Sequence, residues 1–119
     1  MRNYFPPSET ECRCGCGSDI TDSHRALLNG IRGDVGEPLH INSGCRCDEY
    51  DAEIGGKGVH PTGNASDIRC SGKLAHKVLE SAMRRGVKGI GISQKGPHQY
   101  RFIHIDTTDG ATRPWVWSY

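Results

Sequence analysis

The pentapeptide Phe102-Ile103-His104-Ile105-Asp106 alternates strictly between two kinds of side chain, and that alternation leaves a short chain few options. In a strand, successive residues face opposite sides, so Ile103 and Ile105 point one way while Phe102, His104 and Asp106 point the other. The apolar pair calls for a core behind the strand, and the polar row calls for a working face in front. A second segment, Val59-His60-Pro61-Thr62-Gly63-Asn64-Ala65-Ser66-Asp67-Ile68, brings another imidazole and a carboxylate. If Ala65 to Arg69 is extended, Asp67 and Ala65 share a face, Ile68 packs behind, and the small Ala65 leaves space beside a metal. A single histidine is more often a hydrogen-bonded structural residue than a ligand. Together, His60, Asp67 and His104 match the three protein ligands of a catalytic zinc site that keeps its fourth position open.

The remaining periodicity supplies the framework. Thr21, Asp22 and Ser23 can cap a helix whose Leu27, Leu28, Ile31 and Val35 recur at helical spacing, with Gly36 and Pro38 ending it. Leu39 to Asn42 reads as a strand that turns at Ser43-Gly44 and delivers Arg46 at its end. A short helix over Asp48 to Ile54 precedes Gly55-Gly56-Lys57-Gly58, expected to be a flexible feed into His60. Ser71 caps a second helix with Leu74, Val78, Leu79, Ala82 and Met83 as its core stripe, stopped by Gly86. Val87 to Ile92 and Tyr100 to Asp106 read as strands separated by a loop from Ser93 to Gln99. The aromatic tail Arg113-Pro114-Trp115-Val116-Trp117 is expected to pack into the core, with lining of a substrate groove as the alternative. His24, His40 and His76 fall outside the metal pattern and are read as structural or exposed.

A chain of 119 residues is expected to form one domain over residues 1–119, with residues 1–18 as a cysteine-rich loop segment. Fifteen basic residues against 14 acidic ones give a net charge of +1, which offers no footprint for nucleic acid or an anionic membrane. No apolar run has the length of a signal peptide or of a membrane span of roughly 20 residues. The expectation is a monomer made in the cytoplasm without a signal peptide. Six cysteines allow fifteen complete pairings, so connectivity is not readable. They are read as reduced or partly paired structural residues. Alternatively, Cys14 with Cys16 and Cys45 with Cys47 make a second, structural zinc site, although such sites more often use Cys-x-x-Cys spacing. A cysteine-based zinc ribbon binding nucleic acid would also need a basic surface, which the balanced charge does not provide.

Ser43-Gly44-Cys45-Arg46, Gly55-Gly56, the His60 to Asp67 segment, Gly89-Ile90-Gly91-Ile92 and Phe102 to Asp106 stand in an order and spacing that resembles a known family. This is the group of zinc D,D-carboxypeptidases and L-alanyl-D-glutamate endopeptidases that cut peptidoglycan, including phage lysins. The likeness runs from about Cys12 to Trp115. It implies an α+β, hedgehog-like fold with a small, mostly antiparallel sheet flanked by helices. It further implies His60, Asp67 and His104 as zinc ligands, and Arg46, assisted by Ser43, as the holder of a substrate carboxylate. A peptidoglycan stem peptide is the implied substrate, with the cell wall or periplasm as the site of action in lysis or remodelling. A zinc-stabilised module that binds wall peptides without cutting them is the alternative. Better characterised members of that family carry an acidic residue three positions before the last zinc histidine, or a second histidine two before it, and some phage-type relatives lack both. Here Arg101 and Phe102 occupy those places, which leaves Asp106 and His98 as candidates for proton transfer. Asp106 can equally orient a ligand.

Overall fold

Thr21 opens the first long helix because its hydroxyl accepts the His24 backbone N–H at 3.2 Å, filling one of the vacancies every helix start leaves. Gly36, at φ +77°, closes that helix in the left-handed conformation. The structure, a computed structural model, describes residues 2–119, so residue 1 of the expected 1–119 span lies outside it. The elements run α1 (Pro7–Thr10), α2 (Asp22–Val35), β1 (His40–Ser43), α3 (Asp48–Glu53), β2 (Ala65–Arg69), α4 (Gly72–Arg84), β3 (Gly89–Ser93), β4 (Phe102–Asp106) and β5 (Trp115–Ser118). Two 3-10 turns, His60–Thr62 and His98–Tyr100, interrupt the connections.

The five strands form one sheet in the order β1-β2-β4-β3-β5. All neighbours are antiparallel except β3 and β5. This is the expected α+β class with a mostly antiparallel sheet. Ile68, Ile90, Ile103 and Ile105 cover one face and pack with Leu28 and Ile31 of α2 and Val78 and Ala82 of α4. Burying each such side chain contributes roughly 1.5–3 kcal/mol, so this layer is the main source of stability. The opposite face is left for the polar row. No helix among the described residues is long and apolar enough to cross a membrane.

Several expectations need correction. Residues 1–18 are not loop throughout, since α1 forms there with Pro7 in its first turn. Met83 is exposed rather than part of the core stripe, because Val78, Ser81 and Ala82 already occupy the buried face of α4. The strand read from Val87 begins at Gly89, and the one read from Tyr100 begins at Phe102 after the 3-10 turn. The aromatic tail is not in the core. It forms the edge strand β5, where Trp115 and Val116 are exposed, and among the described residues its only strand neighbour is β3. The glycine-rich feed into His60 is tied down rather than loose. The Gly56 N–H bonds the Asp51 carbonyl at 2.7 Å, and the Gly58 N–H bonds Asp51 Oδ2 at 2.9 Å.

Candidate metal centre and cleft

Strand register assembles the centre. One row crosses the sheet through Ser43, Asp67, His104, Gly91 and Trp117, and the next passes through Ala65, Asp106, Gly89 and Trp115. Residues directly opposite in neighbouring strands share a face, so the polar side chains of β2 and β4 meet without any loop having to place them. The small residues in these rows make space. A Cβ on Gly89 would lie 2.3 Å from Asp106 Oδ2, and one on Gly91 would lie 2.5 Å from Trp117 Nε1. Ala65, expected beside a metal, sits opposite Asp106 instead.

His60, Asp67 and His104 offer donor atoms that all lie within 4.8 Å of one another. Asp67 Oδ1 is 2.9 Å from His104 Nδ1 and 3.5 Å from His60 Nε2. The far nitrogen of each ring is already engaged: His60 Nδ1–H donates to the Gly44 carbonyl at 2.7 Å, and His104 Nε2–H donates to Asp106 Oδ2 at 2.7 Å. A neutral imidazole carries one hydrogen, so these bonds turn the lone pairs of His60 Nε2 and His104 Nδ1 toward Asp67. Burial would raise the Asp67 pKa, yet the nearness of His104 and His60, whose rings can take up a proton, holds it well below the usual carboxylate range. Three electron-pair donors therefore face one point, and such a set fits a divalent cation. Mixed nitrogen and oxygen ligation of this kind suits zinc.

Behind His104 lies a second tier. Asp106 is fully buried and pairs with Arg113 in fork geometry, Nε to Oδ1 at 2.8 Å and Nη2 to Oδ2 at 2.9 Å. Thr108 Oγ1 adds a bond to Oδ1 at 2.8 Å. Burial pushes the Asp106 pKa up, but His104, Arg113 and Thr108 together hold it below the ordinary range. For His104, burial disfavours the charged ring, and the pull of Asp106 and Asp67 overrides it and raises the pKa. Both Asp106 oxygens are thus engaged, Oδ2 by His104 and Arg113 and Oδ1 by Arg113 and Thr108, and the residue does not line the cleft.

The centre opens into a cleft of about 740 Å³. Arg46, Gly56, Lys57, Phe102, Trp117 and Tyr119 are among the residues that line it. Arg46 is braced by buried Asp51, with Nε 3.3 Å from Oδ1. Gly56 lies so close to that carboxylate that a Cβ there would sit 2.0 Å from Oδ1. Ser43 ends β1 opposite Asp67 but does not line the cleft. His98, expected as a proton carrier, is not brought to it either. Its 3-10 turn after Pro97 places Nδ1 3.1 Å from Ser71 Oγ, in a separate depression at the start of α4. Arg101 is bonded to the Gly96 carbonyl, and Phe102 packs on Tyr119 with ring centroids 5.1 Å apart.

Asp51, Tyr119 and the Gly44 carbonyl escaped the sequence reading as site components, whereas Arg113, Trp115 and Trp117 line the cleft, as the alternative reading of the aromatic tail had it. The one sequence sign of a crowded layer over β3 is Gly89-x-Gly91, whose missing side chains make room for Asp106 and Trp117. His24, His40 and His76 lie outside the centre, as expected. His24 is buried and shares a 2.6 Å hydrogen bond with Ser66 Oγ, while the other two are exposed. No curated protein matches the chain. A model of the family described as Peptidase M15 matches residues 3–106, nearly the whole length and all three converging donors. The chain belongs to the peptidase M15 family.

Proposed function

We propose that this protein is a zinc peptidase that hydrolyses a peptide bond in peptidoglycan stem peptides, as a D,D-carboxypeptidase or an L-Ala-D-Glu type endopeptidase. It would serve in cell-wall lysis or remodelling, acting at the wall or in the periplasm. The observation that carries this reading is the convergence of His60 Nε2, Asp67 Oδ1 and His104 Nδ1 at the floor of an open cleft, with both remote ring nitrogens engaged. When bound there, zinc supplies Lewis acidity toward a carbonyl and lowers the pKa of water toward neutrality.

The chain's own residues supply the rest. Asp106 keeps His104 Nε2 protonated and the ring oriented, and the Gly44 carbonyl does the same for His60 Nδ1. Arg46 presents a guanidinium to the cleft, suited to a stem-peptide carboxylate, with Lys57 adding positive charge nearby. Phe102, Trp117 and Tyr119 form an apolar wall that shields a bound peptide from water.

A second reading, a binding module that holds zinc without cutting, draws support from one observation. Arg101 and Phe102 fill the base positions, Asp106 is committed to Arg113 and His104, and His98 stands in another depression. Muropeptide mass spectrometry after incubation with zinc-loaded protein separates the two. The peptidase reading expects released fragments that identify the bond, and loss of that release in His104→Ala together with about one zinc per chain. Release unchanged in His104→Ala would overturn it, whereas zinc-dependent peptide binding without release would establish the binding module.

A further inference from the structure

Four of the six cysteines form a donor group separate from the histidine centre. Cys12, Cys14 and Cys16 come from the loop between α1 and α2, and Cys47 comes from the residue that precedes α3. Their sulfurs all lie within 4.8 Å of one another, with Cys12 to Cys14 at 3.3 Å and Cys14 to Cys47 at 3.6 Å. Zinc held tetrahedrally at about 2.3 Å from each thiolate separates neighbouring sulfurs by about 3.8 Å, within the range observed here. All six cysteines are free thiols, so these donors are unspent. We infer that Cys12, Cys14, Cys16 and Cys47 form a structural tetrathiolate site for a divalent soft metal, zinc first among them.

The backbone is arranged for this. Gly15, at φ +83° between Cys14 and Cys16, and Gly17, at φ +89° directly after Cys16, turn the loop, which lets Cys-x-Cys-x-Cys spacing converge where a plain strand would spread the sulfurs. The Cys12 N–H bonds the Ser18 carbonyl at 2.7 Å and closes the loop at its base. The Cys47 N–H points at Cys12 Sγ at 3.3 Å, a contact that favours thiolate over thiol. The sequence expectation paired Cys14 and Cys16 with Cys45 and Cys47, and the structure corrects that set. Cys45 turns into the apolar core, and Cys12 takes its place. On binding, four S–H protons leave as four metal–sulfur bonds form, so a Zn²⁺ site carries a net charge of about −2.

The site also has a task. Residues 44–47 are held from one side by the N-terminal segment: the Cys45 N–H bonds the Thr10 carbonyl at 2.8 Å, and a Cβ on Gly44 would lie 2.3 Å from that same oxygen. This turn supplies the Gly44 carbonyl to His60 and Arg46 to the cleft. A metal joining Cys47 to the loop clamps the turn that serves the other centre. The assignment itself rests on the thiols alone and stands whether or not the chain cuts peptides.

Metal analysis and native mass spectrometry of full-length protein, purified under reducing conditions without chelator, should find about two zinc ions per chain. One should be lost in His104→Ala and the other in the double variant Cys14→Ser/Cys47→Ser. Cobalt-loaded wild type and His104→Ala should both show sulfur-to-cobalt charge-transfer absorption, which reports thiolate ligation independently of the histidine centre. Because the cysteine variant could fail to fold, alkylation of the wild type gives a second readout: the four thiols should resist until a chelator is added. A single zinc with no charge-transfer band, or alkylation at one rate with and without chelator, would overturn the assignment. So would disulfides among these residues in the reduced preparation.

Discussion

The histidine centre and the sulfur cluster sit on either side of one turn, residues 44–47, and hold their donors by different means. In the histidine centre, Asp67 and His104 stand in paired strands, and the far nitrogen of each ring is fixed by an acceptor. In the cluster, three of the four donors belong to an irregular loop held by two backbone bonds of its own, Cys12 N–H to Ser18 and Gly15 N–H to Cys12, and by Arg13 reaching the β1 carbonyls. A sheet ladder sets side-chain positions through many shared bonds, so the first site is shaped by folding alone. A loop has no such ladder, so the second depends on its ion for order. Glycine use follows the same division. Gly89 and Gly91 are small because other side chains occupy the space, whereas Gly15 and Gly17 have nothing near and serve for backbone angle.

Removing the support behind the sheet site should produce the largest effect. Asp106→Asn keeps the volume but leaves the Arg113 guanidinium short of its counter-charge, and breaking such a buried pair costs about 3–5 kcal/mol. Loss of the carboxylate behind His104 should also weaken zinc at the histidine centre roughly 10- to 100-fold. Competition with a chelator should show that loss at this centre only, with the thiolate charge-transfer band of cobalt-loaded protein unchanged. A variant that keeps its zinc and its fold but loses peptide release would instead place Asp106 in proton transfer.

The contrast between the two regions also explains what the sequence disclosed. Alternation in Phe102 to Asp106 and in Ala65 to Arg69, and the stripes of α2 and α4, are local signals tied to burial on one face, so these elements and the shared face of Asp67 and His104 were legible together, while His60 comes from a 3-10 turn with no such period. Arg113 was not, because its tie to Asp106 depends on a reversal between residues 107 and 113 that leaves no periodic trace. Trp115 and Val116 misled for the opposite reason. Apolar residues at an exposed edge have the composition of a core, and only the parallel pairing of β5 with β3 shows that this strand is an edge whose Trp115 borders the cleft. The choice of Cys12 over Cys45 likewise depends on how the turn after β1 rotates, which spacing does not encode.

A subtler probe of the sheet half is acid. His24 lies beneath the sheet, and burial, followed by the charges of His60 and His104, lowers its pKa to about 4. In the unfolded chain an imidazole titrates near 6.5, so the unfolded state binds the proton first as pH falls. The contribution of neutral His24 is therefore complete above about pH 6.5 and is lost as pH drops toward about 4, amounting to about 3 kcal/mol. Urea midpoints across that window should fall for the wild type and fall less for His24→Gln, which retains hydrogen-bonding capacity toward Ser66 without titrating. Equal slopes for both proteins would remove His24 as a source of acid sensitivity.

The smallest expected effect tests the loop half. Gly15 has φ +83° with open space where a Cβ would project, so Gly15→Ala meets no clash and pays only for the left-handed backbone, about 1–2 kcal/mol. If the ion orders this loop, that cost falls on metal binding, because the unliganded loop can relax while the liganded one cannot. Metal affinity at the four thiols should then drop roughly 5- to 30-fold, measured by chelator competition, with affinity at His60, Asp67 and His104 unchanged. Equal loss at both centres would mean that the turn at 44–47 transmits loop strain to the sheet. No loss at either would mean that the loop keeps its shape without an ion, and the difference drawn between the two regions would fail.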